Sequence, residues 1–111
     1  MARRYTPKRG DIVFTDFDPA AGHGQKMQRP ALVLSPESFN KKIKLALVAP
    51  ITSTVRGHGF EVKLADTKMT GVVLCHRVKV IDYEARGVRF IEKAPRPIIV
   101  DVLAKVRLLV N

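Results

Sequence analysis

The residues with chemistry to offer fall into three sets: an arginine at the mouth of an apolar run, a cluster of hydroxyls, and three scattered histidines. Arg29 precedes Pro30-Ala31-Leu32-Val33-Leu34-Ser35-Pro36. This β-rich run reads as a short buried strand, with proline tolerated at its first position and beyond its end. A guanidinium is always charged and presents a planar fork of donors, so an arginine fixed where a loop enters a sheet offers a preorganised cation to phosphate oxygens. The plainer alternative is an arginine solvated at a strand end. Ile51-Thr52-Ser53-Thr54 puts hydroxyls just past another strand, where they either satisfy local backbone groups in a turn or face a ligand. His23, His58 and His76 lie apart, His76 between Cys75 and Arg77. An imidazole with its ordinary pKa of about 6.5 moves protons near neutrality, although a lone histidine is more often a surface residue.

Several chemistries are excluded by what is missing. There is no Gly-rich strand-to-helix phosphate loop and no Gly-x-Ser-x-Gly elbow. The histidines and Cys75 lack the paired spacing of a structural zinc site, and the carboxylates do not cluster as magnesium requires, so neither metal nor cofactor is expected. Without a metal, cutting a phosphodiester needs a base, an acid and fixed cations for the charge that develops on phosphate. RNA brings its own nucleophile in the 2′-hydroxyl, so a small basic domain with these groups could cut RNA but not DNA.

Charge and length point the same way. Twenty Lys and Arg against ten Asp and Glu give a net charge of +10, with a pI near 10.3. Polyanionic partners are therefore favoured, nucleic acid first and an acidic protein second, and a basic protein with no nucleic-acid role remains an alternative. The 111 residues suit one domain, 1–111, and the solitary Cys75 cannot form an intrachain disulfide. The basic start Met1-Ala2-Arg3-Arg4 runs into polar residues and no segment reaches membrane-spanning length, so a soluble cytoplasmic protein without a membrane partner is expected.

The elements that must position these groups are mostly short strands. Asp11 to Phe17 is rich in β-formers, and the long loop Asp18 to Gln28 delivers the chain to Arg29. Glu37 to Lys42 reads as a polar connector, Ile43 to Ala49 as a strand up to Pro50, and Val55 to Gly59 as a basic loop. Phe60 to Leu64 alternates cleanly, Gly71 to Leu74 and Val78 to Ile81 are further strands, and Tyr83 to Gly87 is a turn. Ile98, Ile99, Val102, Val106 and Val110 then recur at helical spacing, with Pro95 and Pro97 suited to the first turn and Asp101 and Lys105 placed for an i,i+4 pair. About six short antiparallel strands and one terminal helix make a mainly β protein, a small partly open barrel packed by a C-terminal helix.

These stretches also carry a resemblance. Arg9-Gly10-Asp11-Ile12-Val13, Phe17 to His23, Gln25, Arg29 to Pro36, Ala49-Pro50-Ile51-Thr52, Thr70-Gly71-Val72-Val73 and Ala85-Arg86-Gly87 look in register like the motifs of the MazF/PemK (Kid) toxins of bacterial toxin–antitoxin pairs. The resemblance implies the plasmid-maintenance barrel shared with the gyrase poison CcdB, a homodimer, and a metal-independent endoribonuclease cleaving single-stranded RNA at short sequences. It also implies an acidic antitoxin partner. Arg29 and Thr52 match the positions taken as catalytic, the first stabilising phosphate charge and the second orienting the phosphate. His23 and Gln25 match the loop that covers the RNA groove, and Ser53, Arg56, Arg77 and Lys79 are further candidates for contact with RNA. Departures occur at Gly24, where many relatives have Glu, and at His76 and Arg77, which replace an acidic residue and Gln. Leu74 stands where the PemK branch has arginine. Either His76 substitutes for the carboxylate as the base, with His23 as a second candidate, or Arg29 and Thr52 carry most of the chemistry, or these departures leave a weakened enzyme. Two other functions remain open at this point: a gyrase-directed, protein-binding toxin of the CcdB kind, and a barrel that binds nucleic acid without cutting it.

Overall fold

The early apolar runs become the middle of a curled antiparallel sheet. The computed structural model describes residues 5–16 and 28–111. In chain order it has β1 (Asp11–Asp16), β2 (Gln28–Val33), α1 (Glu37–Ile43), β3 (Ala46–Thr52), β4 (Glu61–Lys63), β5 (Val72–Leu74) and β6 (Lys79–Ile81). They are followed by α2 (Tyr83–Arg86), β7 (Arg89–Lys93) and α3 (Arg96–Arg107). The strands are ordered β4-β5-β3-β2-β1-β7, and β6 pairs with the opening half of β3. Glu92 of β7 accepts N–H bonds from Lys68 (3.0 Å) and Met69 (2.7 Å) in the β4–β5 connection. The two ends of the strand path are thus strapped together by a side chain instead of a ladder, which makes the barrel partly open.

β1, β2 and β3 are covered on both faces, which is why they read as apolar runs instead of clean alternation. Ile12, Leu32, Ala49, Ile51, Val62 and Val73 pack on one face with Ile98 and Val102 of α3. Val13, Ala31, Val33, Ala46, Val48 and Ile81 pack on the other, beneath Tyr83, with Tyr5 and Val88 alongside. Pro95 and Pro97 occupy the start of α3 and Asp101 meets Lys105 at 3.2 Å, as the spacing predicts. Gly10, at φ 92, leaves room for Ile99, and a Cβ there would strike that side chain.

Several elements differ from the sequence expectation. β2 starts at Gln28, so Arg29 lies within the strand and not in the loop before it, and Pro30 is third in the strand. Proline is tolerated there because only Ala31, Leu32 and Val33 ladder with β3. β3 starts at Ala46 and runs through Pro50 to Thr52. Pro50 falls where β3 exchanges partners, since β6 pairs with 46–48 and β5 with 51–52, so its missing N–H breaks no ladder on that side. The connector at 37–42 is a helix, fixed by a buried Asn40 that donates to Pro7 O (2.8 Å) and accepts from the Tyr83 hydroxyl through its backbone carbonyl (2.8 Å). The turn at Tyr83 contains a single helical turn capped by Asp82. A seventh strand, β7, escaped notice because Arg89, Glu92 and Lys93 obscure its period. Val110 lies beyond α3 and is exposed.

Candidate functional site

Side-chain alternation decides which residues share a face. Leu32, Ile51, Val62 and Val73 point toward α3, so Arg29, Thr52, Glu61, Lys63, Val72 and Leu74 point the opposite way. Thr15 follows Val13 onto that same face. Register then sets a row across the strands. Thr15 pairs with Arg29, Thr52 with Val72, and Val72 with Lys63. The β2–β3 pairing runs Val33 with Val48, Leu32 with Ala49 and Ala31 with Pro50, and continuing it two places outward sets Arg29 opposite Thr52. The ladder itself ends at Ala31–Pro50, so Arg29 and Thr52 lie on the same face, each two residues past its last pair.

Each member of the row has a local cause. Arg29 is exposed beyond the apolar end of β2. Thr52 Oγ1 accepts the Thr54 N–H at 3.1 Å, which is the turn bond that its hydroxyl invited. That bond occupies a lone pair and leaves the hydroxyl proton to donate elsewhere. Gly71, at φ 124, presses against the Thr52 carbonyl so closely that a Cβ would collide with it. Thr15 is fully buried, and its hydroxyl has no hydrogen-bond partner among the described residues. A cation with a planar donor fork beside a donating hydroxyl can hold two oxygens of one phosphate.

The remaining candidates are spread out. His76 is exposed in the turn between β5 and β6, four residues beyond Val72 and so up to roughly 13 Å along the sheet from the Thr52 row. Arg77 is exposed beside it, and its backbone N–H bonds to Leu74 O at 3.2 Å. Lys79, on β6 opposite Val48, is exposed. Ser53 and Arg56 are exposed in the β3–β4 connection. His23 and Gln25 lie outside the described residues, as does Gly24. Arg29 and Thr52 thus share a face, and His76 forms a second group with His58, which the sequence offered separately, and with Phe60 and Glu61, which it did not single out.

In that second group, the His58 and His76 rings meet edge to face at 4.6 Å, with Phe60 6.3 Å from His76. His58 Nε2 lies 3.7 Å from Glu61, whose side chain is 4% exposed. The Glu61 carboxylate accepts N–H bonds from Gly57 (2.8 Å) and Arg56 (3.0 Å). The Gly57 N–H holds its carboxyl below the usual range, helped by the Arg56 N–H and the two imidazoles and opposed by desolvation. Burial pushes the Cys75 thiol up to about 11, so it is a core group and not a nucleophile. Among the described residues no three His, Cys, Asp or Glu side chains converge as metal ligands would. The sequence does not reveal Glu61 or Thr15, because one reads as an outward residue of an alternating strand and the other as a β-former.

The chain is thus a small, partly open antiparallel barrel packed by a C-terminal helix, with an arginine and a threonine on one face of its strands. Residues 8–110 match the family described as PemK-like, MazF-like toxin of type II toxin–antitoxin system, and the chain belongs to that family. It is 44% identical over 87 residues to endoribonuclease toxin MazF of Escherichia coli (strain K12), spanning 78% of each chain. It is 39% identical over 117 aligned positions to endoribonuclease toxin ChpB of the same strain, with 100% of each covered. Among solved structures it is similar to the crystal structure of MazE-MazF (Form-II) from Deinococcus radiodurans, with TM-score 0.88 and 36% identity over 96% of this chain and 97% of that one.

Proposed function

We propose that this protein is a metal-independent endoribonuclease that cleaves single-stranded RNA through attack of the 2′-hydroxyl on the adjacent phosphate. The observation that supports the reading is the β2–β3 register, which sets Arg29 and Thr52 on the same face when it is extended two places beyond Ala31–Pro50. Arg29 binds two phosphate oxygens and stabilises the charge that builds on them in the transition state. Thr52 donates its remaining proton to the same phosphate and fixes its orientation. His76 takes the proton of the 2′-hydroxyl, Arg29 donates the proton that the leaving 5′-oxygen takes up as its bond to phosphorus breaks, and Arg56, Arg77 and Lys79 hold flanking phosphates, with Ser53 beside Thr52. His23 and Gln25 belong to the segment that would complete the groove. The endoribonuclease names of the MazF and ChpB relatives support this reaction class.

The unit acts as one toxin domain over 1–111, in the cytoplasm where messenger RNA is available. It works as a homodimer, and an acidic antitoxin neutralises it. The charge of +10 supports both polyanionic partners, and a MazE–MazF complex among its structural neighbours supports the second. Incubation of the purified protein with a long single-stranded RNA in EDTA tests the reaction. Discrete fragments ending in a phosphate are the expected products. Intact RNA with supercoiling by gyrase blocked would indicate a gyrase-directed toxin instead, and salt-sensitive binding without cleavage would indicate a passive binder.

A further inference from the structure

A set of contacts joins the β3–β4 connection to His76. Glu61 pairs with Leu74 across β4 and β5, and Cys75 N donates to Phe60 O at 2.9 Å, which seats the residue after Cys75 beside 58–60. Both ring nitrogens of His58 are engaged there. Nδ1 accepts the Phe60 N–H at 3.2 Å, so the ring proton sits on Nε2, and Nε2 faces Glu61 at 3.7 Å. The carboxylate is itself held by two backbone N–H groups. His58 is therefore held at Nδ1 by a main-chain hydrogen bond, with the Glu61 carboxylate within ion-pair range of Nε2, and its side chain is 40% exposed. This ring meets the His76 ring at an interplanar angle of 82°, with Phe60 as a second wall.

We propose that His58 is a positioning residue for His76: Glu61 and the Phe60 N–H lock the His58 ring, and that ring fixes the direction of the His76 imidazole on the open face. The inference rests on the reading of His76 as the base. A base oriented by a neighbour that is itself anchored is a common arrangement for proton transfer, because a freely rotating imidazole on a turn spends little time in the productive geometry. Nothing local in the sequence joins residue 58 to residue 76. The contact exists because the β4–β5 register carries one turn over the other.

The test combines ring spectroscopy with single-turnover cleavage of a short RNA by wild type, His58→Ala, His58→Phe, His76→Ala and the double variant. In long-range proton–nitrogen spectra, wild-type His58 shows the Nε2–H tautomer, and the His76 ring signals move in His58→Ala. His58→Ala lowers the saturating rate about tenfold while the half-saturating concentration stays within about twofold, and His58→Phe, whose ring neither the Phe60 N–H nor Glu61 can hold, recovers only a small part of that loss. Adding His58→Ala to His76→Ala costs nothing further. A wild-type rate for His58→Ala, or full additivity in the double variant, overturns the inference while leaving His76 as the base. If His76→Ala itself cleaves at the wild-type rate, the base reading falls and the inference falls with it.

Discussion

In the proposed mechanism Arg29 and Thr52 act on one phosphate from the same face of β2 and β3, so a change in the backbone behind either should be felt in cleavage. Gly71→Ala places a methyl against the Thr52 carbonyl at a φ of 124. It is expected to cost about 1–3 kcal/mol of stability and to slow cleavage roughly tenfold to a hundredfold by displacing Thr52. Urea unfolding and single-turnover rates check both, and an unchanged rate would separate Thr52 from the reaction. A second expectation concerns His76. The acidic limb of the rate profile reports the base, and His76→Ala removes that limb along with most of the rate. If the limb persists in His76→Ala, another group is the base. Arg29 and Thr52 were legible as residue types beside apolar runs. Their pairing was not, because it depends on a register set by Ala31, Leu32 and Val33 against 48–50.

At the scale of elements, the β3–β4 connection is organised by a carboxylate. Folding lowers the Glu61 carboxyl below its ordinary pKa through the Gly57 and Arg56 N–H groups. A depressed folded value means that the contribution of Glu61 is complete above the ordinary carboxylate range and is lost as the pH falls through and beneath it. Protection of the Arg56 and Gly57 amides against hydrogen exchange should therefore drop on acidification to about pH 3 and should already be low at neutral pH in Glu61→Gln. Equal protection in wild type and Glu61→Gln would contradict the clamp. The sequence showed α3 clearly, through Ile98 and Val102 one turn apart and the Asp101–Lys105 pair. It concealed β7, an edge strand whose charged residues mask its alternation, and α1, whose polar face hides an asparagine that ties three segments together. Such elements are specified by long-range contacts, which local pattern does not carry.

For the whole molecule, the barrel leaves Phe39, Ile43, Val80, Phe90, Val100 and Leu108 substantially exposed, more apolar surface than a small basic protein gains by showing to water. The homodimer proposed above would cover part of it, and light scattering at micromolar concentration should give twice the mass of the 12.4 kDa chain. A fully active monomer would contradict that assembly. No helix among the described residues is long and apolar enough to cross a membrane. The central claim, that Arg29 opposite Thr52 performs the cleavage, is tested most directly by the single-turnover rate of RNA cleavage in EDTA for wild type, Arg29→Lys and Arg29→Ala. Wild type should cut, Arg29→Ala should fall by about a hundredfold to a thousandfold while remaining folded, and Arg29→Lys should recover little because an ammonium lacks the planar fork. Cleavage by Arg29→Ala at close to the wild-type rate would contradict the account.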